Sequence, residues 1–259
     1  MGRLKDKVAL ITGGSKGLGE ADARLFVQEG AFVVIADVDA AKGQGLAREL
    51  GDSARFLELD VRSEAAFKGV IDRVVADHKQ LNVLVNNAGV VKPGSPESIT
   101  EEDYRFVMSV CVDGVIFGCK HAIPAITAAG GGSIVNISSV ASIQGVPYSA
   151  GYSAAKGAVE AYTRTVAVHC KMNNLKVRCN SVHPGAFLTP MLDDMLANVA
   201  KAGGEASDQF KRRVAGTMGD PADVARLVLF LASDESSYIT GQRFVIDNGD
   251  GVTPLSAKR

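Results

Sequence analysis

The sequence predicts a doubly wound α/β fold in a single domain over residues 1–259, with a parallel sheet of about seven strands between helical layers. Three observations lead to this prediction. Short β-branched runs alternate with longer segments of helical periodicity. The short runs are apolar at consecutive positions, which is typical of strands buried on both faces. No Pro/Ser-rich linker divides the chain, and right-handed crossovers between such strands give three layers.

The elements follow one another in a regular order. In the first part of the chain the patterns predict a strand at residues 8–11, a helix at 17–29, a strand at 32–35, an Ala- and Leu-rich helix ending near Gly51, a strand at 56–59, a helix at 64–78 and a strand at 83–85. The second part adds a helix at 101–128, a strand at 133–137, a helix at 151–172, a strand at 177–182, a helix from Pro221 and a strand at 244–246. Residues 187–217 interrupt the alternation after a strand's carboxyl end, where such folds bind ligands. We predict a substrate lid there, with a tolerated surface loop as the alternative.

Composition and charge exclude several classes of protein. The chain has 28 basic and 29 acidic side chains, so its net charge of −1 gives no field for attracting nucleic acid or an anionic membrane. No stretch of apolar residues approaches the roughly 20 that a membrane helix needs, and the first apolar run is too short for a signal peptide. The four cysteines and four histidines show no metal-ligand spacing. We expect a cytoplasmic protein with reduced thiols, no metal, and neither nucleic-acid nor membrane partners.

A glycine-rich turn follows the first predicted strand and opens directly into a helix. Gly13, Gly17 and Gly19 allow positive φ and let backbone N–H groups approach a pyrophosphate at the positive end of that helix. Asp37 ends the second strand, where a carboxylate can accept hydrogen bonds from both hydroxyls of an adenosine ribose and would repel a 2′-phosphate. These residues predict NAD rather than NADP, although the cation of Lys16 in the turn weighs weakly the other way.

With further motifs, the sequence resembles the short-chain dehydrogenase/reductase family over essentially residues 5–250. The motifs that carry the resemblance, in the family's order, are Gly13-x3-Gly17-x-Gly19, Asn86-Asn87-Ala88-Gly89, Ser139, Tyr152-x3-Lys156, and Pro184-Gly185 with Thr189. Residues 81–84, 150–156, 181–184 and 227–237 look like bacterial hydroxysteroid dehydrogenases. The resemblance implies a Rossmann-like fold, a nicotinamide cofactor and a homotetramer. The expected cofactor-binding residues are Gly13, Ser15, Lys16, Gly17, Leu18, Gly19, Asp37, Val38, Asp60, Val61, Asn87, Ala88, Gly89, Tyr152, Lys156, Pro184, Gly185, Phe187 and Thr189.

The candidate catalytic residues are Ser139, Tyr152 and Lys156. Tyr152 and Lys156 lie four residues apart on a predicted helix and share one face. The ammonium of Lys156, together with the positive charge of an oxidised nicotinamide, is expected to lower the pKa of the Tyr152 phenol. Tyr152 would then take the hydroxyl proton of an alcohol while hydride leaves its carbon, and Ser139 would hold the same oxygen. By resemblance, Lys156 also binds the nicotinamide ribose.

One position departs from the family pattern. The resemblance implies an asparagine on the helix at 101–128, fixing a water near the catalytic lysine, but Cys111 stands there. A thiol is a weak donor and a weak acceptor, so we do not expect it to replace the paired hydrogen bonds of an amide. Three alternatives stay open: a relay completed by backbone and water, a diminished rate, or lost activity that leaves a cofactor-binding regulator.

The residues expected around the substrate are mostly apolar. They are Val146, Tyr148, Phe187, Met191, Leu192 and Met195. We therefore expect an apolar alcohol or ketone, either a steroid or another bulky cyclic or aromatic secondary alcohol. A β-ketoacyl thioester reductase is the alternative, disfavoured because such enzymes usually take NADPH. Apolar residues on more than one face of 111–128 and 152–170 fit two buried surfaces in an oligomer.

Overall fold

A computed structural model of the chain describes residues 2–202 and 218–253. A parallel sheet of seven strands in the order β3-β2-β1-β4-β5-β6-β7 forms its centre, which confirms the predicted fold class. The strands are β1 (Val8–Thr12), β2 (Phe32–Asp37), β3 (Ala54–Glu58), β4 (Val83–Asn86), β5 (Gly132–Ile137), β6 (Val177–Pro184) and β7 (Arg243–Ile246). The helices between them are α1 (Gly17–Gln28), α2 (Ala40–Leu50), α3 (Glu64–His78), α4 (Glu101–Met108), α5 (Gly114–Ala128), α6 (Ala150–Met172), α7 (Pro190–Ala202) and α8 (Pro221–Ala232).

Helices cover both faces of the sheet, which explains why the strands are apolar at consecutive positions. In β1, Leu10 joins a core cluster that includes Phe67 of α3. The next residue, Ile11, joins a second cluster that includes Phe26 of α1 and Leu229 of α8. Because successive side chains of a strand point to opposite faces, each strand must supply apolar residues to both clusters.

The strand order reverses beside β1, and this position creates the crevice for a ligand. Strands β2 and β4 both pair with β1, so Thr12 stands level with Ala36 and Asn86. The Thr12 hydroxyl accepts hydrogen bonds from the backbone N–H groups of Asn87 and Ala88, each at 3.1 Å. Doubly wound sheets bind ligands at the carboxyl ends of the strands where the order reverses, and here the first loop is anchored to the fourth strand's loop.

The helix predicted as continuous over 101–128 contains a π-helical turn. Residues Ser109–Asp113 form this turn between α4 and α5, and Cys111 within it is fully buried. Apolar periodicity does not reveal such a one-residue widening, because the helix continues on both sides.

The stretch Glu101–Ala128 is also long and apolar enough to cross a membrane by length and composition alone, and its most apolar 18-residue window has a mean hydropathy of 1.5. The expectation that no apolar stretch approaches the length of a membrane helix therefore does not hold on length and composition alone. Buried core helices pass the same test, and 44% of the stretch's most apolar window is buried within the chain.

The segment predicted as a lid begins with an ordered helix. Phe187 is buried and pairs with Gly219 through an isolated bridge, and α7 starts at Pro190. The Thr189 hydroxyl accepts a hydrogen bond from the Leu192 N–H at 3.4 Å, so Thr189 caps this helix as its residue type allows. Residues 203–217 of the predicted lid lie outside the described part of the chain.

Candidate active site

A cavity of about 440 Å³ opens at the carboxyl ends of the strands. Its wall is built from the loops that follow all seven strands, together with Phe106 of α4 and the start of α6 and α7. The sequence-predicted residues found in this wall are Gly13, Lys16, Gly17, Leu18, Asp37, Val38, Asp60, Val61, Asn87, Ala88, Gly89, Ser139, Val146, Tyr148, Tyr152, Lys156, Pro184, Gly185, Phe187, Thr189, Met191, Leu192 and Met195. Ser15 and Gly19 lie outside the wall.

The first glycine turn has the shape that a phosphate group requires. Gly13 and Gly17 have φ of 61° and 59°, and a Cβ on Gly13 would lie 2.8 Å from the Cα of Ala88. Gly19 stands behind the turn, where a Cβ would meet the Gly13 carbonyl oxygen at 2.4 Å. The N-terminus of α1 has no side-chain cap. Bare backbone and uncapped N–H groups therefore face the cavity, which fits the phosphates of a dinucleotide.

Asp37 is fixed in place by the turn itself. One carboxylate oxygen accepts hydrogen bonds from the Ser15 N–H at 3.1 Å and the Ser15 hydroxyl at 2.5 Å. The other accepts from the Asp39 N–H at 3.0 Å. Asp37 is 8% exposed and Val38 beside it is 64% exposed. Ser15, expected among the cofactor-binding residues, thus has a different place: its polar groups face Asp37 and orient that carboxylate at the edge of the cavity.

Ser139, Tyr152 and Lys156 meet at the junction of β5 and α6. The Lys156 Nζ lies 5.5 Å from the centroid of the Tyr152 ring and donates a hydrogen bond to the Ile137 carbonyl at 2.7 Å. The Ser139 hydroxyl is hydrogen-bonded to the Tyr152 phenol. The Ser138 hydroxyl donates to the Lys156 carbonyl at 2.9 Å. These contacts hold a hydroxyl, a phenol and an ammonium together in one wall.

The chain's own groups act on the pKa of the Tyr152 phenol in opposite directions. Burial raises the pKa of the phenol, and the nearby Cys111 raises it slightly further. The charge of Lys156 and the hydrogen bond from Ser139 lower that pKa, but the net shift is upward. The prediction that Lys156 helps to depress the pKa was right about the direction of its effect. It left out the loss of water around the ring, which outweighs the lysine.

Cys111 makes two hydrogen bonds to Val90 in the loop that follows β4. Its Sγ donates to the Val90 carbonyl oxygen and accepts from the Val90 N–H, each at 3.4 Å. A Cβ on Gly89 would lie 3.4 Å from the Lys156 Nζ and 3.7 Å from the Cys111 Sγ. The π-helical turn brings the sulfur to the Val90 peptide, so one thiol joins the central helix to the loop beside the catalytic lysine.

Several wall residues were not predicted. Arg62 forms an ion pair with Asp60 at 2.6 Å, and its guanidinium lies 5.7 Å from the centroid of the Phe106 ring. The others are Leu59, Val90, Val91, Val110, Ile137, Ser138, Val140, Ala141, Ser149, Ala186, Pro190, Asp247 and Asp250. Asp247 directly follows β7, and the rule that marked Asp37 at a strand's carboxyl end would have found it. Phe106 carries no comparable sequence feature, because the packing of α4 brings it to the wall.

The cysteines are free and buried. All four are unpaired, and burial raises the pKa of the Cys170 thiol to about 11. Such thiols are unreactive because the thiolate is the reactive form. Within residues 2–202 and 218–253, no three His, Cys, Asp or Glu side chains stand close enough together to hold a metal ion.

Comparison with known proteins gives relatives that cover nearly the whole chain. A family model described as Enoyl-(Acyl carrier protein) reductase matches residues 13–250. The chain is 42% identical to a 3-beta-hydroxysteroid dehydrogenase of Comamonas testosteroni, over 95% of this chain and 96% of that protein. It is 39% identical to an NADP-dependent (R)-specific alcohol dehydrogenase of Lentilactobacillus kefiri, over 95% and 97%. A crystal structure described as a short-chain dehydrogenase/reductase from Burkholderia xenovorans matches with a TM-score of 0.89 at 34% identity, over 98% of this chain and 100% of that chain.

Proposed function

The chain belongs to the short-chain dehydrogenase/reductase family, and on that premise we propose that it interconverts a bulky, mostly apolar secondary alcohol and its ketone with NAD(H). The observation that carries the proposal is the meeting of Ser139, Tyr152 and Lys156 in one wall of a cavity beside a glycine cradle. The cradle fits a dinucleotide, because its glycines allow a tight turn that side chains would obstruct at Ala88 and Gly13, and the turn opens into the uncapped N-terminus of α1.

Each of the three residues has a separate part in the proposed reaction. Tyr152 takes the proton from the alcohol hydroxyl in oxidation and returns it to the ketone oxygen in reduction. Ser139, which is hydrogen-bonded to the same phenol, positions the substrate oxygen and stabilises the charge that develops on it. Lys156 is 2% exposed, so its positive charge acts on the phenol through a medium that screens it little.

A bound nicotinamide supplies the hydride acceptor or donor. Residues Pro184, Gly185 and Thr189 would hold its carboxamide side, and Lys156 would bind its ribose. Asn87 to Gly89 would pass along that ribose, while Asp60 and Val61 would border the adenine.

Asp37 supports NAD over NADP as the cofactor. Hydrogen bonds from Ser15 and Asp39 hold its carboxylate at the cavity edge, and a carboxylate there repels a 2′-phosphate. One relative is named as NADP-dependent, so family membership alone does not decide between the two cofactors.

The apolar wall supports a hydrocarbon-rich substrate. Val146, Met191, Leu192 and Met195 line one part of the cavity with Tyr148, and the relative from Comamonas is named for a steroid. A steroid or another bulky cyclic or aromatic secondary alcohol is therefore our first candidate. The second candidate is a β-ketoacyl thioester, whose ketone Tyr152 could protonate in the same way; the name of the matching family model supports acyl thioesters only as a class.

We further propose a cytoplasmic homotetramer. Helix α6 presents Val168 and Met172, which are 54% and 77% exposed, and Val245 of β7 is 43% exposed. A second copy of the chain covering these residues would remove apolar surface from water. Light scattering behind size-exclusion chromatography measures the assembly, and a monomer at micromolar concentration contradicts this part of the proposal.

The test of the proposed activity is a spectrophotometric assay with matched variants. We expect the reduced-nicotinamide absorbance to rise when NAD is mixed with steroid, cyclic or aromatic secondary alcohols, and NADP to support a slower rate. Tyr152→Phe should slow this rise at least about 100-fold yet still bind NAD in a fluorescence titration. Binding of NAD without turnover of any alcohol, ketone or β-ketoacyl thioester would instead favour a cofactor-binding regulator.

A further inference from the structure

A buried histidine connects the two strands that carry the catalytic and nicotinamide-side residues. His183 is fully buried in β6, next to Pro184 and Gly185 of the cavity wall. Its Nδ1 lies 2.9 Å from the Ser142 hydroxyl and 3.2 Å from the Ser139 carbonyl oxygen. Its Nε2 lies 2.8 Å from the Ser181 hydroxyl. One ring thus touches the peptide of Ser139 from the neighbouring strand.

Of the three groups around the ring, only the Ser139 carbonyl has a fixed hydrogen-bonding role, because each serine hydroxyl can donate or accept. The Ser139 carbonyl can only accept a hydrogen bond, so Nδ1 must donate if the two are to attract each other. Nε2 then accepts from the Ser181 hydroxyl, which can donate. Burial lowers the pKa of His183 to about 4, so the ring stays neutral at neutral pH. We assign the Nδ1–H tautomer on this basis.

The Ser139 carbonyl is held by several donors at once. It accepts from the Ser142 N–H at 3.1 Å and lies 2.8 Å from the Ser142 hydroxyl, in addition to the contact with His183. The Ser142 hydroxyl also lies 3.3 Å from a carboxylate oxygen of Glu160. The single proton of the Ser142 hydroxyl cannot serve both the Ser139 carbonyl and the Glu160 carboxylate. The Nδ1–H of His183 therefore supplies a hydrogen bond to Ser139 that does not depend on that proton.

We propose that His183 is a positioning residue for catalysis, which holds the Ser139 peptide so that the Ser139 hydroxyl meets the Tyr152 phenol and the substrate oxygen. This inference rests on the proposed function, because it assigns His183 a part in that reaction. His183 touches neither the phenol nor the cofactor cradle. Its effect passes through the Ser139 backbone, which is extended at φ −166° and ψ 158° just where β5 ends.

Two substitutions separate the two nitrogens of the ring. In His183→Asn the side-chain amide reaches the place of Nδ1 and can still donate to Ser139. In His183→Gln it reaches the place of Nε2 and keeps only the contact with Ser181. Ser181→Ala is the matched control, because it removes the contact at Nε2 and leaves the one at Nδ1.

We expect kcat to fall only in variants that lose the hydrogen bond from the Nδ1 position of residue 183 to Ser139. A small misplacement of a catalytic group costs about 10- to 100-fold in rate, so we expect that loss in His183→Gln with the KM for NAD nearly unchanged. His183→Asn and Ser181→Ala should stay within about threefold of the original kcat. If His183→Gln does not fold, His183→Ala against His183→Asn offers the same contrast.

A pH profile and a crystal structure distinguish positioning from general stability. The charged and titratable groups that act on Tyr152 are Lys156 on α6 and Cys111 on the π-helical turn. The hydrogen bond from Ser139 lowers the pKa of the phenol, so its loss in His183→Gln should move the Tyr152-dependent limb of the kcat profile to higher pH. Crystal structures should show the Ser139–Tyr152 hydrogen bond kept in His183→Asn and lost in His183→Gln.

The outcomes separate this inference from the proposed activity. Retention of the Ser139–Tyr152 hydrogen bond in both variants overturns the role of His183, whatever the activity. An unshifted pH limb and an unchanged kcat in His183→Gln overturn it as well. Absence of turnover in the unmodified enzyme contradicts the proposed function alone, since the crystallographic contrast needs no substrate.

Discussion

Cys111→Ala removes the sulfur that links the π-helical turn to Val90 in the loop after β4. The Sγ of Cys111 lies 3.4 Å from both the nitrogen and the oxygen of Val90, and it is fully buried. Alanine keeps the helical backbone and adds no new polar group. The substitution therefore tests what this one sulfur contributes, and we expect it to lower both stability and rate.

The expected size of the effect follows from the two lost contacts. The Val90 N–H lies in a partly buried contact, so leaving it without a partner costs about 1 kcal/mol, the lower end of the range for a buried group, and the void left by one sulfur atom adds about 0.5 kcal/mol. In a chain of this size such a loss lowers Tm by roughly 3–6 °C. The Val90 peptide adjoins Gly89, which packs beside the Lys156 Nζ. Movement of that peptide should therefore lower kcat by about tenfold.

Two control variants make the assay decisive. Thermal unfolding and steady-state oxidation of a secondary alcohol are measured for Cys111→Ala, Cys111→Ser and Cys111→Asn. Serine keeps a donor and an acceptor near the Val90 peptide and should recover most of Tm and kcat. Asparagine should give a kcat within about threefold of the original enzyme, because the thiol already makes both contacts. The reasoning is refuted if Cys111→Ala leaves Tm unchanged, or if Cys111→Asn raises kcat well beyond about tenfold.

Three further predictions concern the cofactor, the base and a buried acid. Asp37→Asn removes a charge but keeps an acceptor for Ser15, so the ratio of kcat/KM with NAD to that with NADP should fall about tenfold or more; an unchanged ratio contradicts the assignment of NAD. Tyr152→Phe should lower kcat by about 10²- to 10⁴-fold while leaving Tm and NAD affinity nearly unchanged, and turnover close to the original would exclude Tyr152 as the base. Among the residues that the structure describes, neither carboxyl oxygen of Asp22 has a hydrogen-bond partner, and burial raises its pKa well above the usual value. The unfolded chain releases this proton near pH 4 while the folded chain keeps it, so stability falls as pH rises from about 4 toward the folded-state pKa. Asp22→Asn should raise Tm at pH 7 and make no difference near pH 4, and equal Tm values at pH 7 would contradict the penalty.

The strands could be predicted because burial on both faces requires apolar residues at consecutive positions, and such runs are visible in the sequence. Leu10 and Ile11 serve opposite faces of the sheet, so an uninterrupted apolar run is itself evidence for helices on both sides. The π-helical turn at Ser109–Asp113 could not be predicted in the same way. It leaves the apolar pattern of the helix intact and changes only which side chain reaches the Val90 peptide.

The residues of the candidate site also fall into those that the sequence could predict and those that it could not. Asp37 could be predicted because its place at the end of a strand, beside a glycine-rich turn, is visible in the linear sequence. Ser15 was assigned to the cofactor from its place in the turn, but its N–H and hydroxyl face Asp37 instead. Phe106 and Arg62 reach the cavity through the packing of α4 and the loop after β3. A motif specifies which residues are near each other along the chain, whereas the direction of a polar group depends on its neighbours in space.

The acidity of Tyr152 shows why this division matters for chemistry. The motif Tyr152-x3-Lys156 reveals one effect on the pKa of the phenol. The positive charge of Lys156, one helical turn away, lowers that pKa as expected. Burial has the stronger influence, and it arises because α4, the π-helical turn and α6 pack together around the ring, which no pair of residues in the sequence reveals. With the chain's own groups the phenol holds its proton more tightly than a free tyrosine does. A base at neutral pH therefore requires a further positive charge beside the ring, so the reactivity of Tyr152 belongs to the fold and its cofactor jointly rather than to the motif.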